Sequence, residues 1–230
     1  MSTPLRYWLL SLPLLATACA APAPVAAGGF GLAQLQARLI APARLGDGWS
    51  AIALPVDGKR LPALCAGGDV PGPPISGAEV AVVAASKDFA PPGGAPPQFL
   101  TQYALVFADD EAAVRFRDGA RAAADACRPS VSVVAPATDT GEQPAPYTET
   151  VEVTDAAHHG WTGFVVRRHQ TYPAAQPAAG DTAVAVLSSS NAVLVVRYTA
   201  SVRGEVPAAD VFTQAWTQRL AQVTAAAGTA

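Results

Sequence analysis

The second half of the chain is a run of extended segments separated by short connections, and this feature constrains the fold most. Segments rich in Val, Thr, Tyr and Phe alternate with clusters of Gly, Pro, Ser and Asn, as in strands joined by turns. Ser189, Ser190 and Asn191 join the last two segments as a tight hairpin. Because tight hairpins join antiparallel strands, the pattern predicts an antiparallel sheet. The predicted strands are 130–135, 147–153, 161–171, 182–188 and 192–201.

The first half adds strands and amphipathic helices. Residues 99–107 alternate strictly, with aromatic side chains on one face, and Asp109 and Asp110 are suited to cap the helix that follows. Pro129 ends that helix after Cys127. Few helices beside many strands predict an α+β fold, a twisted antiparallel sheet with helices packed mainly on one face. The other predicted elements are a strand at 79–85 and helices at 30–40, 110–127 and 208–225.

The N-terminus has the pattern of an export signal. Arg6 precedes a short apolar run that ends in Leu15-Ala16-Thr17-Ala18-Cys19, which resembles the lipobox of bacterial lipoproteins. The run is shorter than the roughly 20 residues of a transmembrane helix. We therefore expect residues 1–18 to be a signal peptide and Cys19 to carry lipid, palmitate included. The alternative is ordinary secretion, because Ala16 and Ala18 also fit a plain cleavage site and Leu usually stands where Ala16 is.

The three cysteines support the lipid assignment. If Cys19 is acylated, Cys65 and Cys127 remain as an even pair, as expected for a disulfide in an exported domain. The helix predicted to end near Cys127 presents that residue from its buried side. The alternative is two separately buried thiols.

These features predict a simple organisation. After the signal peptide, residues 19–29 form a lipidated tether, and residues 30–228 form a single sensor-like extracytoplasmic domain. The membrane is then a partner through the N-terminal lipid, and the protein is anchored outside the cytoplasm. Secretion without an anchor is the alternative location.

Composition and motifs argue against several functions. The net charge is −3 and the cationic residues are scattered, which excludes the basic stripe of a nucleic-acid-binding protein. We expect no cofactor and no metal. The three histidines, His158, His159 and His169, lack metal-ligand spacing and fit a polar turn before a strand.

No catalytic motif is present either, and we expect no enzyme activity. Ser188 to Ser190 lie in a hairpin, and no Gly-x-Ser-x-Gly elbow occurs. The alternative is an extracytoplasmic hydrolase or cell-wall enzyme whose site forms only on folding. A pocket that places Ser or Glu beside a histidine would favour it. A third alternative is a scaffold or adhesion lipoprotein without a small ligand.

One set of residues is suited to ligand binding. Trp161, Arg167 and His169 share a face of the strand 161–171, and such a face suits an anionic or ring-containing ligand. Arg197 adds a second cation if its strand lies nearby. The alternative is an exposed sheet face with Trp161 under a loop.

The order of these features resembles a known family. A Gly-Trp turn and a cysteine in an irregular stretch precede YALVFADDEAAVRFRDGARAAADAC, and GDTAVAVLSSSNAVLVVRYTA and a Trp-containing helix follow. This is similar to the extracellular sensor domain of actinobacterial PknH-type serine/threonine kinases and related stand-alone lipoproteins, over residues 30–225. The resemblance implies a twisted antiparallel sheet flanked by helices, an open cleft for an unidentified ligand, and no catalysis.

The chain departs from the kinase pattern in two ways. It has one cysteine pair where the kinase sensor has two, and it shows no kinase or transmembrane segment. We therefore expect a lipid-anchored ligand-binding or sensor-like domain, which captures or presents a small molecule or cell-envelope component outside the cell.

Overall fold

Eight antiparallel strands form one sheet in the part of the chain that the structure describes. The structure is a computed structural model, and it describes residues 28–53, 59–67, 72–87, 97–134, 146–173, 178–203 and 209–228. The predicted signal peptide, Cys19 and the tether up to residue 27 lie outside these ranges. The strands are β1 (Trp49–Ala51), β2 (Ala78–Lys87), β3 (Gln98–Phe107), β4 (Ser130–Val133), β5 (Tyr147–His158), β6 (Trp161–Thr171), β7 (Ala178–Ser189) and β8 (Ala192–Arg203). The helices are α1 (Leu32–Arg38), α2 (Asp110–Asp125) and α3 (Ala209–Ala227), and a single 3₁₀ turn spans Pro42–Arg44.

The strand order is β1-β2-β3-β8-β7-β6-β5-β4. Strands β5 to β8 form a meander, and β8 then pairs with β3 in the middle of the sheet, where Tyr103 lies opposite Val195. Helix α2 carries the chain from β3 to β4, which forms the far edge. Edge strand β4 pairs only with the first four residues of β5, so β5 continues beyond its neighbour.

The two faces of the sheet carry different helices. Helices α1 and α3 cover one face, here called the α3 face, where Leu35 and Trp216 join a core with Leu194. Helix α2 covers the opposite face, here called the α2 face, where Ala120 packs with Val186. The predicted α+β class and antiparallel sheet are therefore confirmed, with two of the three described helices on one face.

Buried amide side chains attach the segment around α1 to the sheet. Gln102 on β3 is fully buried, and its side chain both donates to the Ile40 carbonyl (2.9 Å) and accepts from the Ile40 N–H (3.0 Å). Asn191 makes the same two-way bond with the backbone of Phe30, at 2.7 and 3.1 Å. Because these bonds hold the flanking backbone extended, α1 is shorter than the predicted helix over 30–40.

Helix α2 has the predicted start and an earlier end. The Asp109 side chain accepts a hydrogen bond from the Ala112 N–H at 2.7 Å, as an N-cap should. The helix ends at Asp125, so Cys127 lies just beyond it and not in its last turn as predicted. The predicted disulfide is confirmed, with Cys65 and Cys127 joined at an S–S distance of 2.04 Å.

Candidate functional site

A groove lies between strand β5 and helix α3, on the α3 face. Strand β4 covers only the first four residues of β5, so the rest of β5 forms the edge of the sheet, and α3 packs beside it on this face. The groove encloses about 410 Å³. Its residues include Thr154, Ala156 and His158 from β5, Val165 and Arg167 from β6, and Thr213, Trp216 and Leu220 from α3.

A smaller depression of about 220 Å³ continues from this groove. Arg167 lines both cavities, so the two form one continuous surface with a guanidinium at the junction. Both parts combine polar and apolar surface. Val165, Trp216 and Leu220 form an apolar side in the larger part, and the residues that line the smaller part are polar except for Val151. Lining residues of the smaller part are Thr150, Val151, Glu152, Arg167, His169 and Asp181.

Arg167 is held in place by helix α3. Its guanidinium donates to Thr213 Oγ1 at 3.0 Å and lies 5.8 Å from the centre of the Phe212 ring. Glu152 is its direct cross-strand neighbour, yet Arg167 forms no ion pair with any carboxylate in the described ranges. The Arg167 guanidinium is therefore fixed in position at the groove, and the neighbouring Glu152 carboxylate is not paired with it.

His169 and Asp181 form a second polar pair in the smaller depression. His169 Nδ1 lies 2.9 Å from Asp181 Oδ1, and the two side chains are 46% and 20% exposed. The backbone brings them together because they are register partners on β6 and β7, with Thr150 opposite His169 on the other side. A carboxylate on Nδ1 fixes the orientation of the imidazole. Alternation along β6 thus correctly placed Arg167 and His169 on one face.

Trp161 is not part of this surface. Its side chain is completely buried at the opposite end of β6, where the ring stacks on Phe30 with centroids 5.4 Å apart. Its indole N–H donates to the Gly228 carbonyl at 2.7 Å. The expectation that Trp161 lines a cleft with Arg167 is therefore corrected: Trp161 closes the core where the N-terminal segment and the end of α3 meet.

Arg197 also lies elsewhere, on the α2 face. It pairs in register with Val184 of β7, which in turn pairs with Val166 of β6, so it shares a face with Arg168. Partial desolvation, and then the charge of Arg168, lowers the pKa of Arg197. The expectation that Arg197 adds a second cation beside Arg167 is corrected, because the sheet separates the two side chains.

A buried ion pair on the α2 face was not anticipated from the sequence. Glu149 is completely buried, and its Oε1 accepts from Arg168 Nε at 2.6 Å. The pair also holds the segment that carries the disulfide, since Arg168 donates to the Ala63 carbonyl (3.0 Å) and Glu149 accepts from the Gly67 N–H (2.9 Å). The sequence pattern that could have predicted this ion pair is the position of Glu149 and Arg168 on the inward face of their predicted strands.

Of the remaining histidines, His158 is the last residue of β5 and His159 lies in the turn that follows. His159 and Gly160 have positive φ angles of 49° and 80° and connect β5 to β6, so the polar-turn interpretation holds for His159 but not for His158 and His169, which lie in strands. In the described ranges no three His, Cys, Asp or Glu side chains are grouped as metal ligands. Across the same ranges no helix has the length and apolar character needed to cross a bilayer.

Comparison with known proteins finds similarity at the level of the fold. No protein-family model and no curated protein matches the chain. Among solved structures, it is similar to the crystal structure of the extracellular domain of PknH from Mycobacterium tuberculosis, with a TM-score of 0.50 and 12% sequence identity. The match covers 86% of this chain and 97% of that one. The structural relationship expected from the order of elements is thus confirmed as a shared fold.

Proposed function

We propose that the chain is a lipid-anchored extracytoplasmic binding domain with a sensor-like role and no catalytic activity. The observation that carries the proposal is the groove between β5 and α3, where Thr213 holds the Arg167 guanidinium at the junction of two cavities with mixed apolar and polar linings. Concave surfaces that combine apolar walls with a few fixed polar groups are typical ligand sites. Similarity to the extracellular domain of PknH supports a role outside the cytoplasm.

Native mass spectrometry tests the binding role. Full-length protein purified from its own host should carry an additional mass from a retained small molecule or cell-envelope component. Replacing Arg167 with Gln should reduce the bound fraction, because it removes the positioned cation. Replacing Arg115 with Gln is the matched control, since Arg115 is an exposed α2 residue that pairs with Glu111 and lies outside the groove lining. Equal occupancy in both variants would count against the groove.

Fatty-acid labelling tests the anchor. Cells given a labelled palmitate should incorporate it into the protein, and Cys19→Ala should abolish the label and release the protein from the membrane fraction. Two buried acyl chains make attachment stable, whereas one is marginal, so loss of the attachment cysteine should give a clear shift in fractionation. Label that persists without Cys19 would contradict the proposed attachment point.

A second candidate, an extracytoplasmic hydrolase or cell-wall enzyme, is favoured by one observation. Glu152 and Thr150 line the same depression as His169, whose Nδ1 is bonded to Asp181. An imidazole oriented by a carboxylate is suited to general-base chemistry. Turnover of an ester or peptide panel that is lost in His169→Ala would establish this candidate. Absence of turnover in the unmodified protein would leave the binding role.

A further inference from the structure

The smaller depression holds an unusual arrangement of opposite charges. Glu152 and Arg167 are direct cross-strand neighbours, at positions where opposite charges can interact across the sheet. Arg167 instead turns to Thr213 and Phe212 on α3, and Glu152 has no ion-pair partner in the part of the chain that the structure describes. An anion site and a cation site therefore stand side by side across an open cavity of about 220 Å³.

The other polar groups of the depression extend this pattern. Asp181 adds a second carboxylate, which lies 2.9 Å from His169 Nδ1, and Thr150 adds a hydroxyl. A simple anion placed on Arg167 would meet two nearby carboxylates. A simple cation placed on Glu152 would meet the guanidinium. A molecule that carries both charges meets a complementary group at each end.

We propose that this depression takes a small zwitterion, with its carboxylate or phosphate on Arg167 and its ammonium on Glu152. The inference rests on the proposed binding function and specifies its ligand class. The apolar side of the larger groove, formed by Val165, Trp216 and Leu220, then receives the uncharged part of the ligand. Two sources share this chemistry: a free α-amino acid and the headgroup of an ethanolamine lipid.

Binding of four charge-matched probes tests the proposal on the unmodified full-length protein. The probes are L-leucine, N-acetyl-L-leucine, L-leucinamide and O-phosphoethanolamine, each titrated by calorimetry. Leucine should bind at least ~10-fold more tightly than either singly charged analogue, because each loses one charged hydrogen-bonding partner. Phosphoethanolamine binding more tightly than leucine would assign the site to a lipid headgroup, and the reverse to an amino acid.

Variants at the two charged positions should separate the two ends of the ligand. Glu152→Gln should weaken the binding of leucine and leucinamide by ~10-fold and leave the binding of N-acetyl-leucine unchanged. Arg167→Gln should weaken the binding of leucine and N-acetyl-leucine by ~10-fold and leave the binding of leucinamide unchanged. Glu111→Gln and Arg115→Gln, an exposed pair on α2, are the matched controls and should change nothing. The comparison among probes needs no variant, so it stands even if a substitution disturbs the packing of α3.

Two outcomes overturn the proposal and separate it from the broader function. If N-acetyl-leucine binds as tightly as leucine and depends on Arg167, the ligand is an anion and the binding function survives. If none of the four probes binds, a small zwitterion is ruled out as the ligand. The broader binding function is then tested separately, by native mass spectrometry of the protein purified from its own host.

Discussion

Gln102 is a single side chain that supplies hydrogen bonds to both backbone groups of one residue in the N-terminal segment. Its amide is completely buried and satisfies both the N–H and the carbonyl of Ile40, a residue that lies between α1 and the 3₁₀ turn. A buried backbone group without a partner costs about 1–3 kcal/mol, which is large beside the net value of an ordinary hydrogen bond. This residue therefore determines how tightly the N-terminal segment packs on the α3 face.

Replacing Gln102 with Met should lower the free energy of unfolding by about 2–4 kcal/mol. The side chain keeps its length, but two buried groups of Ile40 lose their partner. Urea unfolding measures the change. Gln218→Met on the exposed side of α3 is the matched control and should stay within about 0.5 kcal/mol of the unmodified protein. If Gln102→Met lowered the free energy of unfolding by no more than the control does, the hydrogen bonds of the Gln102 amide would contribute little to stability.

The sequence predicts which residues of one strand share a face, but not which residues of different strands lie together in a site. Alternation within one strand placed Arg167 and His169 together, because successive side chains on a strand point to opposite faces. Relating Arg197 to them requires the register of β7 between β6 and β8, which the sequence does not specify. The same register brings in Asp181, so this part of the depression could not be predicted.

Strands β5 and β6 share one buried ion pair with the segment that carries Cys65. Glu149 and Arg168 are 1% and 9% exposed at their side chains, and each also binds the backbone of residues 63–67. Such a pair need not add net stability, since both charges leave water, but breaking it leaves one charge buried alone. The pair thus fixes the position of an irregular segment that has little secondary structure of its own.

Arg168→Met should cost about 3–5 kcal/mol of unfolding free energy, because Glu149 is left as an uncompensated buried charge. The double variant Glu149→Gln with Arg168→Met should cost less than Arg168→Met alone. Chemical unfolding of the single and double variants gives the coupling energy. Simple addition of the two single effects would show that the groups act independently.

The elements themselves were more predictable than their order. Strand β6 has the predicted bounds, because Trp, Phe, Val and Thr make up six of its eleven residues and Gly160 precedes it. Strand β5 runs to His158, five residues beyond the prediction, through Asp155, Ala156 and Ala157, whose strand propensities are low. Strand β5 stays extended over this stretch because it pairs with β6 along its whole length. Neither this pairing nor the pairing of β3 with β8 can be predicted from the local sequence of the strands.

The disulfide acts on the whole molecule, because its main effect is on the unfolded chain. Cys65 and Cys127 are 62 residues apart, and closing a loop of that length corresponds to about 4 kcal/mol in the chain-entropy model. Reducing the unmodified protein should therefore lower its stability by that amount, measured as a shift of the urea unfolding curve. Cys65→Ser with Cys127→Ser should match the reduced protein. A loss below about 1 kcal/mol would show that the cross-link constrains the unfolded chain little.

The contact between Phe30 and Trp161 fixes the end of the sheet at which the N-terminal segment joins the domain. The N-terminal segment joins the domain at the start of β6, whereas His169 lies eight residues further along the same strand. At about 3.3 Å per residue, roughly 26 Å of sheet separates the two. With Cys19 in the bilayer as proposed, the sheet becomes a rigid spacer, and the charged depression opens at its distal end. Such a stand-off favours molecules that diffuse in from outside over lipids of the membrane that carries the protein.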